Sequence, residues 1–281
     1  MPAYKSQHFL PKVYLGHFGR PPERKLEHRL VWRVSETQYG EVPVGTQCQK
    51  DYFYSKDRAS ICESYFGEFE SVYGLLMGKI GRRESLDQKQ LFLFFLCAVD
   101  FYARGCKFKV KDKAEEFARY LHRMDIFKRK LISPELETAT DAKRREYILR
   151  HWQFAIIPFP ETAVLTSDSP AIWLSSSKTV DQLLGVLMPL TPMGVFVGVH
   201  RGHDDLIRRA GTDADAGIIT NEEIDNCVDA VYFSDPFEES EIATIRKRLA
   251  KRERLAPLAN AWKFDMIEYD HGPHLSFIKP R

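Results

Sequence analysis

Residues 143–157 read KRREYILRHWQFAII, and the hydrophobic period changes inside that stretch. Up to Trp152 apolar residues recur three and four apart, the repeat of a helix with one buried face. Beyond it they come in short runs: Phe154 to Ile157, Ala163 to Thr166, Ala171 to Leu174, Gly185 to Met188 and Gly194 to Val199. Pro, Gly, Ser and Asp separate these runs, as in an antiparallel sheet. The change of period predicts an α+β fold, with a helical middle packed against a mainly antiparallel C-terminal sheet.

Working back from Trp152, Ser133 and Pro134 suit the N-cap and first position of a helix over 134–152. A second helix is expected over 112–130, with Phe117, Tyr120, Leu121, Met124 and Phe127 on one side. A third is capped by Ser85 and runs through Phe94 and Phe95 to about Tyr102. It is apolar nearly all round, which marks a buried central helix. Before it, Ile61, Tyr65, Phe69, Val72, Leu76 and Ile80 repeat at helical spacing, with Ser60 and Glu63 placed as in a capping box. Residues 1–55 read as an extended, turn-rich arm, with Val13 to Leu15 following Pro11, a strand over Leu30 to Val34 and a return over Val42 to Val44. Toward the C-terminus, Thr220 is placed to cap a helix over 221–233. A charged helix is expected over 238–254, and a last strand within 262–278. The chain therefore divides into an arm with strands (1–55), a helical part (60–152) and a sheet with C-terminal helices (153–281). The three are read as a single domain over 1–281.

The 281 residues include 44% hydrophobic and 28% charged side chains, a globular mix that excludes a mostly disordered chain. The net charge of +2 excludes a wholesale polycation. Five cysteines, none spaced as in a zinc knuckle, argue against a disulfide framework or a structural zinc site. The longest apolar run, Leu91 to Ala103, has 13 residues, against about 20 for a membrane span. The start shows no signal-peptide pattern. These readings favour a cytoplasmic protein without membrane association. Charge is uneven, however. Residues 104–150 carry 14 Lys/Arg against 8 Asp/Glu, residues 204–241 carry 2 against 12, and residues 246–254 carry 6 against 1. Basic helices of this kind serve as solvated faces or as a surface for a polyanion such as nucleic acid.

No phosphate-cradling loop, nucleophile elbow or paired-His zinc helix is present. The candidates are polar residues in apolar or sharply turned settings. His8 suits an acid, a base or a ligand, and equally a structural anchor for the arm. Glu63 and Glu70 lie seven apart, two turns along one helix face. They suit a base or, with Asp168, a site for Mg2+ or Mn2+; Glu68 competes with Glu70 for that role. Asp100 and Arg104 stand four apart, either as an intrahelical ion pair or as an Arg held toward a phosphate. Asp168 sits in the turn Thr166-Ser167-Asp168-Ser169-Pro170, where Thr166 and Ser167 are candidate substrate contacts. Ordinary turn chemistry accounts for the same residues.

Taken in order, His8-Phe9-x-Pro11-x-x-Tyr14-Leu15-x-x-Phe18, Glu63 and Glu70, Arg104, Thr166-Ser167-Asp168-x-Pro170, Pro189-Leu190-Thr191-Pro192 and Asn221 resemble the bacterial domain-of-unknown-function 4238 family. The likeness extends over roughly residues 5–235, and the His-Phe and Thr-Ser-Asp boxes are its specific parts. Leu10 stands where Val or Ile is usual. The resemblance implies one domain and adds Asn221 to the candidate substrate-binding residues, but it supplies no reaction. The expected function is phosphodiester hydrolysis on nucleic acid, of the kind found in defence or toxin nucleases. In that reading His8 is acid or base, Glu63, Glu70 and Asp168 hold a metal or water, and Arg104 stabilises phosphate charge. The alternative is a non-catalytic module that binds nucleic acid or protein, in which the same residues form one buried structural network.

Overall fold

A computed structural model describes residues 6–51, 53–54, 59–105, 116–131, 139–159, 161–175, 183–201 and 212–251. Along the chain these form β1 (Ser6–His8), α1 (Lys12–Leu15), β2 (Leu30–Ser35), β3 (Tyr39–Pro43), β4 (Gln49–Asp51), α2 (Ala59–Gly81) and α3 (Gln88–Arg104). There follow α4 (Glu116–Leu131), α5 (Asp141–His151), β5 (Trp152–Pro158), β6 (Thr166–Ser167), β7 (Ile172–Ser175), β8 (Leu183–Thr191) and β9 (Gly194–His200). The last are α6 (Asp213–Asn226), β10 (Ala230–Phe233) and α7 (Glu239–Lys251). The fold is α+β, and all its strand pairs are antiparallel among the described residues.

The expected C-terminal sheet is present as β5-β9-β8-β7. A second sheet, β3-β2-β10-β6, joins strands from both ends of the chain. In it Val34 stands opposite Val231, and Val231 opposite Ser167. The arm strand β1 pairs with β4, placing His8 opposite Gln49. Helix α3 is central, as its composition predicts. Phe94, Phe95, Cys97, Ala98, Phe101 and Ala103 are fully buried, and the helix packs on α2, α4, β5 and β8. Phe95 lies against Trp152, Phe154 and Trp173, with ring centroids 5.1–5.9 Å apart. Gly198 lets this layer close, since a Cβ there would stand 3.1 Å from Phe154.

Several local expectations are corrected. Val13 to Leu15 belong to a short helix, because Pro11 fixes its entry and its carbonyl accepts from both Tyr14 and Leu15. Ser60 lies inside α2, which begins at Ala59. The cap of α3 is Asp87, whose side chain accepts from Gln90 N while Gln90 bonds back; this capping box outcompetes Ser85. Thr220 lies within α6. The true cap there is Thr212, boxed with Asp215, and the helix ends at Asn226. Residues Ala230–Phe233 form β10 because an apolar, partly β-branched run finds two sheet partners there. Ala163 to Leu165 carry no regular structure, and only Thr166–Ser167 pair as β6. The expected starts of the helices at 112 and 134, and the strand within 262–278, lie outside the described residues.

Candidate functional site

The N-terminal box is threaded into the interior by backbone and side-chain hydrogen bonds. Gln7 Oε1 accepts from Tyr54 N at 2.7 Å, and Phe9 N donates to Cys48 O at 2.9 Å. Tyr14 donates its only hydrogen to Pro189 O at 2.6 Å. Its oxygen also stands 2.7 Å from Thr166 Oγ1, so Thr166 donates there. The three boxes that stood out in the sequence thus meet at one buried phenol. Burial raises the Tyr14 pKa well above its ordinary value, which keeps it a neutral donor.

The remaining candidates divide into two clusters. The first lies where the arm crosses α2. His8 feels the charges of Lys12, Glu70 and Arg104, and Glu63 feels those of Glu70, Arg104 and Lys12. Arg104 is 0% exposed and held on every side. Its Nε is 2.8 Å from Asp100 Oδ2, and its Nη1 donates to Glu70 Oε1 at 2.9 Å. Nη2 donates to Phe66 O at 3.2 Å, and the guanidinium lies 3.9 Å from the Phe66 ring centroid. Tyr120 donates to the other oxygen of Asp100 at 2.5 Å. Burial disfavours the Arg104 charge, but Asp100 and Glu70 outweigh it, so its pKa is raised. The buried unit therefore carries an ionised guanidinium, and only Glu70, with 30% of its side chain exposed, reaches from it toward solvent. Arg104 orients Glu70 and has no face left for a phosphate.

His8 is partly buried. Its Nε2 is shielded from solvent and has no hydrogen-bond partner among the described residues. The hydrogen bond at the Gly45 backbone raises its pKa, as donation to a carbonyl does, and so falls to Nδ1. Burial, then Lys12, lowers the His8 pKa on balance. The neutral ring then presents the Nε2 lone pair as a base. Glu63 is pushed the other way: burial, then the charge of Glu70, raises its pKa. A carboxyl made harder to ionise, a carboxylate ion-paired to Arg104 and an imidazole whose Nε2 has no partner among the described residues share one region, as acid–base chemistry requires.

The second cluster holds Asp168, which is 2% exposed. Its Oδ1 accepts from Val228 N at 2.7 Å and its Oδ2 from Asp229 N at 2.8 Å. The carboxylate thereby fixes the chain between α6 and β10. Ser167 Oγ accepts from Ser169 N at 3.2 Å, and Asn226 Nδ2 donates to Ser169 O, completing the turn. The charge of Asp168 is felt by Cys48 and Tyr232, whereas the charges that act on His8 are those of Lys12, Glu70 and Arg104. Asn221 is apart from both clusters. It is exposed on α6, and its Oδ1 accepts from Arg248 on α7.

The geometry therefore brings His8, Glu63, Glu70 and Arg104 together, and sets Thr166, Ser167 and Asp168 into a structural turn. Glu70 and Asp168 do not form a fitting pair for Mg2+ or Mn2+. Both Asp168 oxygens accept backbone N–H groups, and Glu70 Oε1 is taken by Arg104. Among the described residues no three His, Cys, Asp or Glu side chains are grouped to hold a metal. Sequence reasoning assigned no role to Tyr14, although its place in the His-Phe box was the available signal. It also missed Glu116, whose Oε1 takes Arg123 Nη2 at 2.5 Å while Arg123 Nε bonds Ala103 O.

Among the described residues no helix is long and apolar enough to cross a membrane. No curated protein and no solved structure matches the chain. A family model described as protein of unknown function (DUF4238) matches residues 6–237. That span takes in the arm with its buried Tyr14, the helices around Arg104 and the turn built on Asp168, and by this match the chain belongs to the DUF4238 family.

Proposed function

We propose that the protein is a hydrolase of phosphodiesters in nucleic acid, with proton transfer running through His8. The observation that carries this reading is His8 Nε2, which has no hydrogen-bond partner among the described residues, on a ring that feels the charges of the Glu70–Arg104 ion pair. In the proposed step His8 takes a proton from an attacking water as its oxygen bonds phosphorus. Glu63, whose carboxyl burial and the charge of Glu70 make harder to ionise, is the group placed to give a proton to the departing ester oxygen. Arg104 is a positioning residue that holds Glu70. The basic segments 104–150 and 246–254 support a polyanionic substrate. Cys48 and Cys97 carry free thiols, which suits a reducing, cytoplasmic compartment.

The test is cleavage of single- and double-stranded DNA and RNA by the purified chain, with EDTA, Mg2+ or Mn2+. His8→Gln is expected to lower the rate by about 10²–10⁴-fold, the range for losing a general base, with Tm held within a few degrees. Absence of cleavage under all conditions, or an unaffected variant, would refute the reading. A second reading, a non-catalytic binding module, draws on Arg104 and Asp168, whose polar atoms are engaged inside the protein. Saturable nucleic-acid binding without cleavage would establish it.

A further inference from the structure

A cleft of about 260 Å3 opens where the segment after α1 meets the loops before β6, after β8 and after β10. Its lining includes His17, Arg20, Arg29, Ala163, Met193 and Asp235, none of which belongs to the His8 region. Arg29 is the decisive residue. Its Nε donates to Arg24 O, Nη1 to Gly16 O at 2.9 Å and Nη2 to Pro22 O. Three neutral carbonyls thus fix the guanidinium; the charge of Glu23 acts on it, but among the described residues no carboxylate forms an ion pair with it. Of its five N–H groups, one on each terminal nitrogen is left without an acceptor among the described residues, the number a bidentate oxyanion takes. The chain is tightly closed behind it: a Cβ on Gly19 would stand 2.7 Å from Arg29 Cβ.

We infer that this cleft is a binding site for a small molecule bearing one oxyanion, a phosphate or a carboxylate, seated on Arg29. His17, facing the same cleft, is kept uncharged near neutral pH. Burial, then the Arg29 charge, pushes its pKa down to about 4, so the ring supplies one donor and one acceptor to the ligand. At the rim Arg20 Nη1 holds Asp235 Oδ1 at 2.7 Å, and Ser234 Oγ donates to Asp235 Oδ2 at 2.9 Å. Arg20 and Asp235 offset each other's charge, so the lining presents one net positive charge, that of Arg29, which matches a ligand with one oxyanion. The volume falls just below the roughly 300–1,000 Å3 of drug-sized sites, which limits the ligand to a compact metabolite.

Titration with sodium phosphate and with sodium acetate, against sodium chloride at equal ionic strength, tests the site by thermal shift and by amide chemical shifts. Saturable binding of at least one of the two anions is expected beyond chloride, with shifts centred on residues 16–30. A preference for phosphate assigns a phosphorylated ligand, and a preference for acetate a carboxylate. Arg29→Gln should weaken binding at least tenfold. Because Arg29 also ties three carbonyls, Met193→Trp is the second variant. It fills the cleft mouth from an exposed position, leaves those ties intact and should cause the same loss. Binding equal to chloride, or unchanged in both variants, overturns the assignment. His8→Gln should bind as the wild type does, which separates this site from the proposed hydrolytic one.

Discussion

Replacing Asp168 with Asn keeps the side chain's shape and changes what its two oxygens can do. In the native turn both accept backbone N–H groups, from Val228 at 2.7 Å and Asp229 at 2.8 Å, in a site 2% exposed. The amide retains one acceptor and turns an NH2 toward the other N–H, where two donors then face each other. One charge-assisted hydrogen bond is lost, worth about 1.5–3 kcal/mol. The survivor becomes neutral and weakens by about another 1 kcal/mol. The sum is a loss of about 2.5–4 kcal/mol. At about 2 °C per kcal/mol, the low end for chains of this length, Tm should fall by roughly 5–8 °C. Calorimetry or urea unfolding followed by tryptophan fluorescence measures it. A Tm within about 1 °C of wild type would refute the structural role of Asp168. If activity vanished at the same time, Asp168 would return to the reacting groups.

Phe95→Ala empties a position enclosed by Phe92, Trp152, Phe154 and Trp173. It should cost about 3–5 kcal/mol, whereas a loss below about 1 kcal/mol would mean that α3 is not central. Acid should destabilise the protein through His17. Its folded pKa, near 4, lies below the unfolded value of 6.5, so the unfolded chain binds the proton first. Stability is complete above about pH 6.5 and declines as pH falls toward 4, by at most about 3–4 kcal/mol at 1.36 kcal/mol per unit. His17→Asn should flatten the Tm–pH curve over that window, and an unchanged slope would contradict the assignment. Glu63 works in the opposite sense, because its raised pKa makes the folded state bind the proton more readily there.

The sequence by itself determined the layers of this protein. The change of period at Trp152 separates helices from strands because burial on one face imposes a repeat near 3.6 in a helix and of two in a strand. The all-round apolar character of α3 similarly required a central position. The polar residues worth inspecting were also visible, since His, Glu, Arg and Asp in apolar surroundings need partners. Which partners they take was decided only by tertiary structure. The N–H groups that hold Asp168 lie 60 and 61 residues away, and the carbonyl that takes the Tyr14 proton lies 175 away. Strand β10 became a strand, where local pattern read on as helix, because β2 offered an edge from the other end of the chain. Helix periodicity and turn chemistry act over a few residues. The pairing of buried charges and sheet edges is instead set by the packed core, which brings distant groups within hydrogen-bond reach and, among the described residues, leaves Nε2 of His8 without a partner.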